Sequence, residues 1–154
     1  MKEHGLFDPA LLLTTDSENA SADSLKPEAL PPRFPEEVRH LAALPDPPSA
    51  VIAANDWAAL GLLHTCADEG IAVPNTFSVA GIDDAGPWTS FCVPPLATVA
   101  MPFGESARCA AAILCDRIEG VGTYPDNAPS VVYLPGKVIL RESVQPFRRK
   151  GVAK

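Results

Sequence analysis

The strongest constraint on this chain is a pair of short, uncharged apolar runs, Ala50-Val51-Ile52-Ala53-Ala54 and Phe77-Ser78-Val79-Ala80-Gly81-Ile82, each ending in two polar residues. Continuous runs of this length, rich in β-branched and small residues, suit strands covered on both faces. Between them, from Trp57 to Glu69, the residues Ala59, Leu62, Leu63 and Cys66 recur at helical spacing and make one apolar stripe. Either Asn55 or Asp56 can cap this helix by accepting hydrogen bonds from its first free amides, and Asp56 also has the charge that the positive helix end favours. Gly70 is the expected stop. The unit reads strand, helix, strand, with Asp83-Asp84 closing the second strand.

A helical crossover makes the two strands parallel, so their carboxyl ends lie on one edge of the sheet, where open α/β sheets bind ligands. Asn55 and Asp83 then share that edge. On neighbouring strands, about 5 Å apart, Asp83 would accept from the hydroxyls of a small polyol while Asn55 donates and accepts. The alternative is that both residues only cap helices and turns. Spacing leaves the two readings open.

Bulk properties narrow the function. The 154 residues are 47% apolar, enough for one domain with a real core. A formal charge of -7 opposes nucleic-acid binding by this piece alone, because phosphate contacts need clustered cations. No stretch approaches the length of a membrane span, and Met1-Lys2-Glu3-His4 leads into no signal-peptide apolar region, so a cytoplasmic protein with no membrane partner is expected. Cys66, Cys92, Cys109 and Cys115 form no C-x-x-C pair, and His4, His40 and His64 are isolated, which favours reduced thiols and predicts neither a metal site nor a cofactor. The chain carries no G-x-S-x-G elbow, P-loop or metal-binding helix; no catalytic residue is assigned and an enzyme is not expected.

Along the rest of the chain, Met1 to Gly5 reads as a helix end and Ala10-Leu11-Leu12-Leu13-Thr14-Thr15 as another apolar strand. Asp16 to Pro35 is polar and then proline-rich, an exposed loop. Pro35 begins a helix with Val38, Leu41 and Leu44 on its apolar face, stopped by Pro45-Asp46-Pro47-Pro48. Trp88 to Val93, between proline breaks, reads as a short helical turn; Trp88 can cover a sugar ring or pack as a partly buried side chain. From Phe103 to Glu119 the residues Phe103, Ala107, Ala110, Leu114 and Ile118 line one side of a helix that Gly120 stops. Val121 to Ser130 is a turn-rich loop, Val131-Val132-Tyr133-Leu134 and Val138-Ile139-Leu140 read as strand segments, and the basic tail Arg148-Arg149-Lys150 is solvated.

Three segments, PSAVIAANDWAALGLLHTCADEGIAVPNTFSVAGIDD, PPLATVAMPFGESARCAAAILCDRIEG and VVYLPGKVILRES, stand in this order over roughly residues 43–146. Together they resemble the carboxyl-terminal part of a LacI/GalR-family transcriptional regulator, and the closing LPGKVILRES favours the regulators over periplasmic sugar-binding proteins of the same fold. The resemblance implies a periplasmic-binding-protein-like (type I) α/β fold, a parallel-sheet βαβ sandwich that is incomplete here. It implies that residues 10–98 and 138–146 form the carboxyl-terminal subdomain, while 99–134 supply a crossover helix and strand that pack on a first subdomain. Thr98, Met101 and Pro102 would mark the crossover.

The same resemblance makes Asn55 and Asp83 effector contacts, with Asp56 a helix cap beside them, and puts Leu60 and Phe91 at the interface of a homodimer. The partners it implies are a small-molecule effector, a sugar or nucleobase-like compound, and DNA through a helix-turn-helix that this chain is expected to lack. Uncovered, the apolar face of the Phe103–Glu119 helix would forgo about 1.5 to 3 kcal/mol per side chain, leaving the chain marginal, swapped or prone to aggregate. Two other readings stand beside the regulator: the sugar-binding protein of a transporter, which should be exported, and a truncated remnant without function.

Overall fold

Pro35 occupies the start of helix α1 (Pro35–Ala43), where its missing N–H is no loss, and Glu36 and Glu37 face the positive helix end. Next come β1 (Ala50–Ile52), α2 (Asp56–Asp68), β2 (Ser78–Asp83), the short α3 (Trp88–Phe91), β3 (Ala97–Ala100), α4 (Phe103–Glu119) and β4 (Lys137–Ile139). These elements belong to a computed structural model, which describes residues 9–12, 30–84, 86–120 and 131–147. The described strands form one sheet in the order β1-β2-β3-β4. β1, β2 and β3 run parallel, and β4 pairs antiparallel with β3. The α/β, mainly parallel architecture is the one the two apolar runs imply.

α2 is the crossover that enforces the parallel pairing. It packs on β2, and α1 packs on α2. Their contact buries Val38, Leu60, Leu62, Leu63 and Cys66 together with Phe77, Val79 and Leu96 from the sheet layer. Gly70 ends the helix in the left-handed conformation, φ 67°, and the next amide, Ile71 N–H, donates back to Cys66 O at 2.8 Å. Two exposed pairs, Arg33–Asp68 at 2.6 Å and Arg39–Glu69 at 2.7 Å, tie the α1 side to the end of α2. Burial pushes the Cys66 thiol up to about 11, so it stays protonated as a core residue.

The closing segment locks the sheet from its amino-terminal end. Ser143 is fully buried, and its hydroxyl accepts from Ala97 N–H at 2.8 Å and donates to Val79 O at 2.7 Å. Its own backbone continues the bridge: Val79 N–H donates to Ser143 O, and Ser143 N–H to Pro95 O, both at 2.9 Å. One residue therefore satisfies groups of both β2 and β3 that the two strands do not offer each other.

Several expectations change. The first apolar run was expected to be covered on both faces, yet Ile52 is 75% exposed, because β1 is an edge strand of the described sheet. Ala10 and Leu11, expected to begin a strand, instead belong to a 3-10 turn, Pro9–Leu11, closed by Leu12 N–H to Pro9 O at 3.1 Å; proline's fixed φ favours the turn, and residues 13–15 lie outside the described ones. Residues 131–134 join no ladder, and Tyr133 is 91% exposed. Thr98 is not at the crossover: it is paired with Gly81 and Ile139 inside the sheet, which keeps the chain until Ala100, so departure falls at Met101-Pro102. The expected helix end at 1–5 and the loops at 16–29 and 121–130, with the basic tail from 148, lie outside the described residues.

α4 has the expected span and stop, with Gly120 at φ 65°. None of its residues is buried, and Phe103, Leu114 and Ile118 are more than half exposed. Its other side faces residues 132–134 across an open cleft of about 410 Å³.

Ser143→Ala removes the side-chain acceptor that a buried amide, Ala97 N–H, uses. Unfolding in urea should show a loss of about 1 to 3 kcal/mol; an unchanged midpoint would show that the bridge is dispensable.

Candidate functional site

The pairing register decides what the carboxyl edge displays. Ile52 pairs with Ala80 in the parallel ladder, so the carboxyl ends of β1 and β2 lie on one edge of the sheet, with Asp83 closing β2 and Asn55 three residues past the end of β1. Neighbouring strands are about 4.8 Å apart. Both residues that the sequence singles out therefore lie at that carboxyl edge.

Asn55 is exposed and is the N-cap of α2: its backbone is extended, and its side-chain oxygen accepts from Ala58 N–H at 2.8 Å. The carbonyl half of the amide is thus engaged, and Nδ2 is left to donate outward. Asp56, expected to be the cap, is instead the first residue of the helix and only 2% exposed. Its Oδ2 accepts from Asp84 N–H at 2.7 Å and its Oδ1 from the Thr98 hydroxyl at 2.6 Å. Both partners lie outside the helix, so Asp56 caps none of its amides. Gly81 makes room for this carboxylate, since a β-carbon there would overlap Asp56 Oδ1.

The acidic pair divides into two roles. Asp84 Oδ1 is 3.0 Å from both the Thr89 hydroxyl and Arg141 Nη2, and Arg141 Nη1 also donates to Leu96 O at 2.7 Å. This half-buried ion pair ties the turn after β2 to the closing segment. Asp83 differs: among the described residues nothing donates to its carboxylate. Its carboxyl is held above its ordinary value, first by burial and then by the negative charge of Asp56. Both aspartates have positive φ, 128° for Asp83 and 50° for Asp84, a region that side chains rarely adopt and that clusters at functional sites.

Other assigned residues fare differently. Trp88 is 45% exposed, with its ring closed over Gly86, where a β-carbon would overlap it. Phe91 is 81% exposed at the end of α3. Leu60, expected at a subunit interface, is 5% exposed inside the core cluster. Met101 and Pro102 leave the sheet beside the edge, and Met101 N–H donates to Asp83 O at 3.1 Å. Sequence reading did not find the roles of Gly81, Thr98, Arg141 or Ser143. A glycine inside a strand is a known sign of close approach, and it was the one available signal.

Among the described residues no group of three His, Cys, Asp or Glu is placed to hold a metal, and no helix is long and apolar enough to cross a membrane. The fold and edge are those of a ligand-binding α/β domain. The family of the periplasmic binding protein-like domain matches residues 1–144, and the chain belongs to that family. Within it the relatives are LacI-type regulators: the transcriptional repressor CytR of Escherichia coli (strain K12) is 40% identical over 83 residues, 54% of this chain and 24% of CytR. A LacI family transcriptional regulator from Arthrobacter sp. FB24 in complex with lactose matches with a TM-score of 0.55 and 31% identity, over 63% of this chain and 36% of that one. The transcriptional regulator CelR, in complex with cellobiose, matches with a TM-score of 0.59 and 32% identity, over 69% of this chain and 31% of CelR. The chain therefore spans about a quarter to a third of the length of these relatives.

A carboxyl whose folded pKa is raised stabilises the fold below its unfolded pKa, and that contribution is lost as pH rises through the folded value. Asp83→Asn should therefore melt higher than the parent at neutral pH, with the gap closing below the ordinary aspartate value of 3.8. Melting temperatures of both chains across this range check it; a gap that does not change with pH would contradict it.

Proposed function

We propose that the chain is the effector-binding portion of a LacI-type transcriptional regulator, and that its carboxyl edge takes adjacent hydroxyls of a sugar-like polyol. One observation carries the reading: Asn55, with its Nδ2 free to donate, and a carboxylate at Asp83 that accepts from nothing among the described residues lie at the carboxyl ends of two adjacent parallel strands. A carboxylate accepts from hydroxyls and Nδ2 donates to them, which matches a vicinal diol better than an apolar or anionic ligand. The related regulators bound to lactose and cellobiose support a sugar. Trp88, half-exposed next to the turn, is assigned to cover one face of the ring.

The remaining surfaces fit the same architecture. Phe91 and Val93, both more than 80% exposed, are assigned to a homodimer interface. α4 and residues 131–134 are assigned to packing against a first subdomain, which accounts for a helix with no buried residue. DNA recognition would fall to a helix-turn-helix outside the described residues, in a cytoplasmic protein. An effector that binds one arrangement of the subdomains better than another then shifts operator affinity by that difference.

Calorimetric titration of the chain with ribose, glucose, lactose, cellobiose, nucleosides and free nucleobases tests the reading. Saturable binding of a hydroxylated ligand is expected, weakened by about tenfold or more in Asp83→Ala, the worth of one hydrogen bond to a charged group. Affinity that is the same in Asp83→Ala, or selective for nucleobases without a sugar, would overturn it.

A further inference from the structure

The Asp83–Asp84 peptide is held from both sides. Its N–H, on Asp84, donates to Asp56 Oδ2 at 2.7 Å, and its carbonyl, on Asp83, accepts from Met101 N–H at 3.1 Å. The plane of that peptide fixes ψ of Asp83 and φ of Asp84, and it lies between two residues of positive φ. Such a turn persists only where its surroundings over-determine it.

Asn55 caps α2 at Ala58 N–H, and the Asp56 carboxylate instead accepts from two groups outside its helix, the Asp84 amide and the Thr98 hydroxyl. It is buried, its second oxygen is fixed by the Thr98 hydroxyl on β3, and its position at the positive end of a 13-residue helix offsets its charge. One side chain thereby joins α2, the turn after β2, and β3. We propose that Asp56 is the positioning residue of the ligand edge: by clamping the Asp83–Asp84 peptide opposite Met101, it fixes the backbone that presents the free Asp83 carboxylate. The inference rests on the reading of that edge as the ligand site.

The test compares the full chain with Asp56→Ala and Asp56→Asn. Amide hydrogen exchange at Asp84 reports the clamp; exchange at Val79, held by Ser143 O, reports whether the sheet is intact. Binding of whichever of ribose, glucose, lactose and cellobiose the parent holds most tightly reports the site. In Asp56→Ala, Asp84 exchange should quicken and sugar affinity fall, each by about tenfold, while Val79 is unchanged. Asp56→Asn should restore both, because its carbonyl can accept from Asp84 and its amide can donate to Thr98.

If Asp56→Ala unfolds the chain, Asp56→Ser, polar but too short to reach the Asp84 amide, takes its place with the same expectation. Unchanged Asp84 exchange in the truncated variant, or an Asn variant as impaired as the truncated one, would overturn the proposal. A parent chain that binds none of the four sugars counts against the ligand reading alone, and the exchange pattern still decides the clamp.

Discussion

The parallel pairing of β1 and β2 is the constraint on which the rest depends. A helix of 13 residues between the strands returns the chain to the same end of the sheet, and the parallel pairing then puts the carboxyl ends of both strands, with Asn55 and Asp83, on one edge. Side chains alternate along a strand, so a slip by one residue would turn the apolar set of β2 away from α2. The same register that buries Val79 against the helix layer also builds the edge.

At that edge the two aspartates share a strained turn but not a task. Asp84 is consumed by Arg141 and Thr89, and its amide by Asp56. Asp83 is left with a carboxylate that burial and a like-charged neighbour both disfavour. A carboxylate held above its ordinary pKa that accepts from nothing among the described residues is what a preorganised acceptor for an outside donor looks like. The supporting contacts come from residues distant in sequence: Arg141 is 57 positions from Asp84, and Thr98 is 42 from Asp56.

That distance explains what could be read from the residue string. The start of α1 at Pro35, the stops at Gly70 and Gly120, and the strand, helix, strand unit are local, set by proline, by left-handed glycine and by apolar period. Asn55 and Asp83 were singled out because the ends of parallel strands are ligand positions in this class of sheet. The exchange of roles between Asn55 and Asp56 was not legible, since it depends on Gly81 and Thr98 making a buried place for one carboxylate. The packing of Leu60 was not legible for the same reason, since the core around it is completed by Val38 of α1 and by the sheet. Residues 10–11 and 131–134 look like strands by composition, but a strand needs a neighbour, and β propensity without pairing does not supply one.

The most direct test of the account is nitrogen-proton correlation NMR of the labelled chain during titration with lactose and cellobiose. Progressive shifts centred on the Asn55 side-chain amide and the Asp83 and Asp84 backbone amides, with Ser143 and its neighbours unmoved, are the predicted result. Saturable shifts that map elsewhere, with Asn55, Asp83 and Asp84 unchanged, would contradict a ligand edge at the ends of β1 and β2.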